Sequence, residues 1–451
     1  MNDAFRIITV TIVLIFTQCF NAAIAQETFP SWLEALKQTA DTAGISEKAS
    51  AAVIRHVELL PDVVVLDRAQ PEFISPFLTY YYKRVDTRKI QKGRDLLARH
   101  DELLTQIEAQ YGVPKTILVA FWGMETQYGS HLGNVDTLSA LATLAYDGRR
   151  ATFFRNQLLD AMRMVDMGHA NVGEFRGSWA GAFGNMQFMP TTFMLYAVDG
   201  DNDDKIDVLN SLPDAFASAA NYLSQVGWRT GDPIMMEVKL PKNFPWQYAQ
   251  YTLKKSTEEW AQLGVRVAWV ETAVAETVAT KNAHQLKSKQ AQLSTKNKKR
   301  SVQQVAYQVP KNSISYNATL AEVLPNLSEQ ASIILPQGWL GPAFMVFDNF
   351  DVIMDWNRSV NYALSVAQLA KRLNQESRII GGRFAEAGAL SFEQMFQLQH
   401  ALNLRGFDAG TPDGFPGLKT QAAVRAYQLS IQLPADGYAS PSIYDKLMSQ
   451  L

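Results

Sequence analysis

The sequence predicts a mainly α-helical (α+β) protein with a small β-containing region and a compact helical tail. Three observations carry that prediction. Between residues 30 and 167 apolar side chains recur at helical spacing, broken by turn residues. Strand-like runs are scarce, the clearest being Ala343 to Val352, AFMVFDNFDV. The last sixty or so residues, 391–451, read as short helices beside Asp-Gly turns.

At the N-terminus, Arg6 precedes an apolar run from Ile7 to Phe16, and Ala23-Ile24-Ala25 places small residues before Gln26. This reads as a secretory signal peptide over residues 1–25, too short for a membrane span. The single cysteine, Cys19, lies within it and follows Gln18, a poor match to a lipoprotein cleavage site. A chain starting at residue 26 has no thiol, which excludes disulfides, thiolate metal sites and a cysteine nucleophile.

Residues 30–110 read as helices, with a loop at Gln70-Pro71-Glu72-Phe73 and an aromatic surface at Tyr80-Tyr81-Tyr82. The next stretch, Tyr111 to Gly129, reads as one helix with Pro114 at its start and Gly129 as its stop. Between Glu108 and Glu125 the only charge is Lys115. A carboxylate beside so much apolar surface should have a raised pKa, as a general acid requires. On the helix alone, an exposed last-turn glutamate is the simpler reading. Further helix is expected from Leu138 to Met167, interrupted at Asp147-Gly148. Arg149 and Arg150 there fit a solvated helix start as well as a ligand contact.

Residues 177–190, GSWAGAFGNMQFMP, form a glycine-rich loop with Gln187 among apolar neighbours, where the backbone can approach a ligand or another helix. In 199–210, DGDNDDKIDVLN, Asp199, Asp201, Asp203 and Asp207 fall at positions 1, 3, 5 and 9 of a calcium loop, and Lys205 can offer its carbonyl. Asp204 replaces the turn glycine of that pattern, and Asn210 replaces the bidentate glutamate at position 12. A plain acidic turn is the alternative.

From 271 to 317 the composition changes. Seven Lys/Arg and no acids lie between Lys281 and Arg300, which reads as a disordered basic insertion. After the predicted strand, WNRSVNYA (356–363) leads into a helix through Leu373. Glycines near 381–390 mark a linker, and FDAGTPDG (407–414) is echoed by LPADG (433–437). A formal net charge of −2 gives no global basic surface for nucleic acid. Aromatics at 11%, with nine tryptophans, suit a groove that stacks on flat sugar faces.

Four motifs in order resemble one family. Glu125-Thr126 with Tyr128-Gly129, GSWAGAFGNMQFMP, the acidic loop followed by Ala220-Asn221-Tyr222-Leu223, and DNF with WNRSVNYA are similar to the B-type lytic murein transglycosylases, over roughly residues 30–385. The tail, with Leu398-Gln399, Gly406-Phe407, Asp413-Gly414, Gly417, Thr420 and Tyr427-Gln428, resembles the small three-helix peptidoglycan-binding module. Pro416 stands where that module usually has an aromatic.

The resemblance implies a lysozyme-like catalytic region over 26–385 and a peptidoglycan-binding domain over 391–451. It implies Glu125 as the sole catalytic acid/base, and Ser178, Gln187, Tyr222, Asn357, Ser359 and Tyr362 as substrate contacts; Arg149 and Arg150 join them as candidate contacts from the residues alone. Trp356 takes a place where the family commonly has tyrosine, so a hydroxyl is missing there. The acidic loop (Asp199, Asp201, Asp203, Lys205, Asp207, Asn210) falls where the family places calcium. Such an ion would be structural, and catalysis would need no cofactor. The expected partners are peptidoglycan strands and cell wall synthesis or remodelling proteins, with no nucleic acid and no membrane span after the signal peptide. The expected location is the periplasm.

Two other readings remain. A hydrolytic muramidase would need a second carboxylate, for which Asp136 and Asp147 are candidates. A non-catalytic wall-binding protein would keep the fold and use its tail.

Overall fold

The computed structural model describes residues 28–69, 75–268, 319–320 and 328–451. The signal peptide, the 70–73 loop and the basic insertion expected from sequence lie outside the described residues. Six helices lead up to the central one: α1 (Phe29–Thr42), α2 (Glu47–His56), α3 (Pro61–Ala69), α4 (Phe77–Arg84), α5 (Thr87–Arg99) and α6 (Asp101–Tyr111). Their starts are encoded by side-chain caps. Thr28, Ser46 and Asp86 accept hydrogen bonds from the N–H groups of Ser31, Ala49 and Lys89. Tyr80 and Tyr81 of α4 are buried and only Tyr82 is exposed, so the expected aromatic surface shrinks to one ring.

Helix α7 (Lys115–Thr126) is the centre of the molecule. Residues Ile117 through Met124 are all buried, so it shows no polar face. Helix α5, α6, α11 (Leu212–Gln225) and α14 (Val360–Leu373) all pack against it. Between them in sequence come β1 (Val135–Asp136), α8 (Thr137–Asp147), α9 (Ala151–Asp166), β2 (Arg176–Gly177) and α10 (Pro190–Tyr196). The α8–α9 break falls at Gly148, in the left-handed region, as Asp147-Gly148 suggested.

The β region is one antiparallel sheet in the order β4-β6-β7-β3-β5, built from β3 (Met235–Lys239), β4 (Lys255–Ser256), β5 (Arg266–Val267), β6 (Gln330–Ile334) and β7 (Ala343–Val346). The short helix α12 (Thr257–Gln262) follows β4. The alternation of strand side chains makes the sheet a partition between two cores. Phe344, Val346 and Ile334 join the helical core, while Ala343, Met345 and Ile333 join a second core around Trp260.

The strand expected over 343–352 ends at Val346. Helix α13 (Asp348–Trp356) begins immediately, with Asp348 and Asp351 in its first turn, where the helix dipole favours acids.

The tail holds α15 (Phe392–Leu404), α16 (Leu418–Ser430) and α17 (Pro441–Met448) around its own core. Its internal echo has a physical basis. Gln399 accepts from the N–H groups of Asp413 and Gly414 and donates to the Asp413 carboxylate. Gln428 likewise accepts from Gly437 and donates to Asp436. Each Asp-Gly turn is clipped to the helix before it by one buried glutamine.

Candidate active site

The turn after α7 positions Glu125. Gln127, Tyr128 and Gly129 are all left-handed, with φ of 51°, 61° and 74°, so the helix stops at Thr126, short of the expected Gly129. Such a run costs about 1–2 kcal/mol per non-glycine residue and needs compensation. Tyr128 supplies it: the ring is buried and its hydroxyl donates to the Lys89 carbonyl at 2.9 Å. A Cβ at Gly123 would sit 2.7 Å from that ring, which is why glycine stands inside the helix there. The Thr126 hydroxyl donates to the Asn185 carbonyl at 3.0 Å and accepts from the Gly129 N–H at 2.9 Å.

Glu125 itself is half-buried. Its Oε1 accepts a hydrogen bond from the Trp356 indole at 3.0 Å and another from the Tyr362 hydroxyl. Trp356 ends α13, and Tyr362 lies in the first turn of α14. The Trp356 ring is walled in by Phe121 (4.4 Å between centroids), Phe188 (5.4 Å) and Tyr222, which meets it edge-on at 5.2 Å. The sequence suggested that tryptophan at 356 leaves a hydroxyl missing. In the structure its N–H reaches the acid instead. Burial first, and then nearby Asp355, push the Tyr222 pKa up to about 12, so its hydroxyl stays neutral. That hydroxyl makes no hydrogen bond among the described residues.

The other residues singled out from sequence divide into those near this cluster and those engaged elsewhere. Asn357 accepts from the Ser359 N–H at 3.1 Å, and the buried Ser359 hydroxyl caps α14 by accepting from the Tyr362 N–H at 3.3 Å. Both build the turn that aims Tyr362. Ser178 accepts from the Ala182 N–H at 3.1 Å inside the glycine-rich loop. Gln187, at φ 50°, donates to the Leu132 and Gly184 carbonyls. What approaches the glycines of that loop is protein: a Cβ on Gly181 would lie 2.4 Å from Leu141, and one on Gly177 would lie 2.3 Å from the Ala182 carbonyl.

Arg149 is ion-paired with the buried Asp67 at 2.6 Å, and Arg150 stacks over Phe153 at 4.5 Å. Asp136, candidate second carboxylate, caps α8 and contacts His56 at 2.9 Å. Burial pushes its pKa up, but the bonds from His56 and Ser139 outweigh burial and hold it below the usual range. Asp147 pairs with Arg68 at 2.9 Å.

In the acidic loop, single ligand atoms of Asp199, Asp201 and Asp203 lie within 4.8 Å of one another. Asp204 is left-handed at φ 66°, so it takes up the turn conformation that glycine provides in calcium loops. Asp207 is not part of that group. Its carboxylate is bound by the Asn210 amide and by Lys205 at 3.2 Å. The buried Asp214, outside the motif read from sequence, accepts from Gly200 at 2.7 Å and Asp207 at 2.6 Å and closes the loop. The carboxylate triad fits a hard divalent cation.

Asn185 is a second residue that sequence reasoning passed over. Buried, it accepts from the Trp122 indole at 3.0 Å and donates to the Leu209 carbonyl at 3.0 Å, joining α7, the glycine-rich loop and the acidic loop. Nothing local distinguished it, because its partners lie 63 and 24 residues away.

The class these features define is a mainly helical, lysozyme-like protein with an acid at a helix end held against a cluster of aromatic rings. The chain belongs to the transglycosylase SLT domain family, whose model matches residues 28–302 and 269–371. Residues 393–447 match the putative peptidoglycan binding domain. Membrane-bound lytic murein transglycosylase B of Escherichia coli (strain K12) is 33% identical over 179 residues, 38% of this chain and 49% of that protein. The chain thus aligns with about half the length of that curated relative.

The crystal structure of SltB3 from Pseudomonas aeruginosa in complex with NAG-NAM-pentapeptide is 36% identical, with a TM-score of 0.79, covering 93% of this chain and 100% of that one. The same protein with NAG-anhNAM-pentapeptide gives 36% and 0.79, over 94% of this chain and 100% of that one. Among the described residues no helix is long and apolar enough to cross a membrane.

Proposed function

We propose that the chain is a lytic transglycosylase that cleaves the bond between N-acetylmuramic acid and N-acetylglucosamine in peptidoglycan, with Glu125 as acid and then base. The observation that carries this is the Glu125 carboxylate held by two aromatic donors, Trp356 and Tyr362, while Asp136 and Asp147 are committed to other partners. A two-carboxylate hydrolase lacks its sequence-suggested partner acid on this arrangement.

Glu125 gives its proton to the glycosidic oxygen as the C1–O bond breaks, and the substrate's 2-acetamido group shares the charge at C1. The muramoyl 6-hydroxyl then attacks C1 and returns its proton to Glu125. No water is consumed, and the product ends in 1,6-anhydromuramic acid. One carboxylate serves both transfers. The half-buried Trp356 and Tyr222 supply flat faces for the sugar, and the neutral Tyr222 hydroxyl is the group we assign to hydrogen-bond it. Asp199, Asp201 and Asp203 would hold a calcium ion, whose part would be to stiffen the loop that Asn185 ties to α7. The wall-directed tail and the N-terminal signal-like segment support a periplasmic location.

The test is mass analysis of products when residues 26–451 digest purified peptidoglycan, alongside Glu125→Gln. Muropeptides lighter by one water, formed only by the unmutated protein, are expected. Reducing ends would mean hydrolysis. No cleavage with binding retained would leave a wall-binding scaffold.

A further inference from the structure

Two donors meet on one oxygen of Glu125, and they differ in kind. The Tyr362 hydroxyl can donate or accept, but an indole N–H can only donate. Oε1, at 3.0 Å from the Trp356 nitrogen, must therefore act as an acceptor in every protonation state. In a neutral carboxyl group the carbonyl oxygen is the better acceptor and the hydroxyl oxygen the poorer one. The Trp356 ring cannot turn away to relieve a mismatch, since Phe121, Phe188 and Tyr222 enclose it.

From this we propose that Trp356 is a positioning residue that keeps Oε1 of Glu125 as the carbonyl oxygen, so that the acid proton sits on Oε2. The same Oε2 then donates to the leaving group and takes back the 6-hydroxyl proton, while Oε1 stays tied to Trp356 and Tyr362 through both half-reactions. A tyrosine at 356 could donate or accept, and would leave the proton free to occupy either oxygen. The tryptophan removes that ambiguity. This deepens the transglycosylase reading and rests on Glu125 being its acid.

The experiment compares the full-length protein with Trp356→Phe, which keeps a ring in the aromatic cage and removes the donor. Two readouts are taken. The first is the infrared carbonyl stretch of protonated Glu125, assigned by its loss in Glu125→Gln. With Oε1 as carbonyl, removing the indole bond moves this band to higher wavenumber. The second is the pH profile of kcat/KM. Its alkaline limb, where Glu125 loses the proton, should rise by about one pH unit, because the anion has lost a donor.

An unmoved carbonyl band overturns the proton assignment, whatever the rate does. An unmoved alkaline limb overturns the positioning role. If the phenylalanine variant does not fold, Trp356→Tyr is read the same way, with two carbonyl bands expected and a single unshifted band refuting the proposal. A Glu125→Gln protein that cleaves normally would instead overturn the proposed function itself, and is told apart by that assay alone.

Discussion

Asn185→Ala tests whether α7 is clamped by one buried amide. Its side chain makes two hydrogen bonds, from the Trp122 indole at 3.0 Å and to the Leu209 carbonyl at 3.0 Å. Trp122 is 4% exposed and Asn185 6%, so water reaches neither group readily. Truncation orphans one buried donor, the Trp122 indole, worth about 1–3 kcal/mol, and one partly buried acceptor, the Leu209 carbonyl, worth less, and leaves a small cavity. The backbone bonds of residue 185, to Val208 and from Thr126, survive the change. The expected loss is therefore about 3 kcal/mol in urea unfolding followed by circular dichroism.

A double-mutant cycle with Trp122→Phe sharpens the test, because removing the donor as well spares the penalty of an unpaired indole. The double variant should be less destabilised than the sum of the singles by about 1 kcal/mol or more. A loss below about 1 kcal/mol for Asn185→Ala, or strict additivity, would refute the argument that this amide clamps α7.

Two further outcomes follow from carboxylates elsewhere. Burial pushes the Glu237 pKa up, against opposing bonds from the Ile380 and Gly381 N–H groups and the charge of Lys371. A folded-state pKa above the unfolded one gives stability that is present below the unfolded value and lost as pH rises through the folded value. Glu237→Gln should thus gain in melting temperature relative to wild type between pH 4 and pH 7, and parallel profiles would refute this. In the acidic loop, millimolar calcium should raise the melting temperature of the unmutated protein by mass action. The effect should vanish in Asp201→Ala, and an equal rise in both proteins would place the ion elsewhere.

Periodicity and caps made much of the helical fold legible in sequence, because those signals act within a few residues. The misreadings have equally local causes. AFMVFDNFDV opens with five apolar residues, and a short apolar run does not say whether it is strand or helix. The acids at 348 and 351 were the available sign that a helix starts there. Gly129 was taken for the helix stop because glycine adopts the left-handed region at least cost. The chain turns earlier, at Gln127 and Tyr128, because the Tyr128 ring and hydroxyl find partners on α5 and α7, which no local pattern encodes.

The site was legible in residue types but less so in what each side chain does. Ser359 and Asn357 stood out as polar residues of a motif, yet their hydrogen bonds shape the turn that aims Tyr362 at Glu125. Trp356 stood out as a missing hydroxyl, yet its N–H reaches the acid. In both cases the acid comes from residue 125 and its donors from residues more than 230 positions later. A motif can report that the two segments belong together. Which atom donates to which depends on how α13 and α14 dock against α7, and that docking is decided by the buried faces of all three helices.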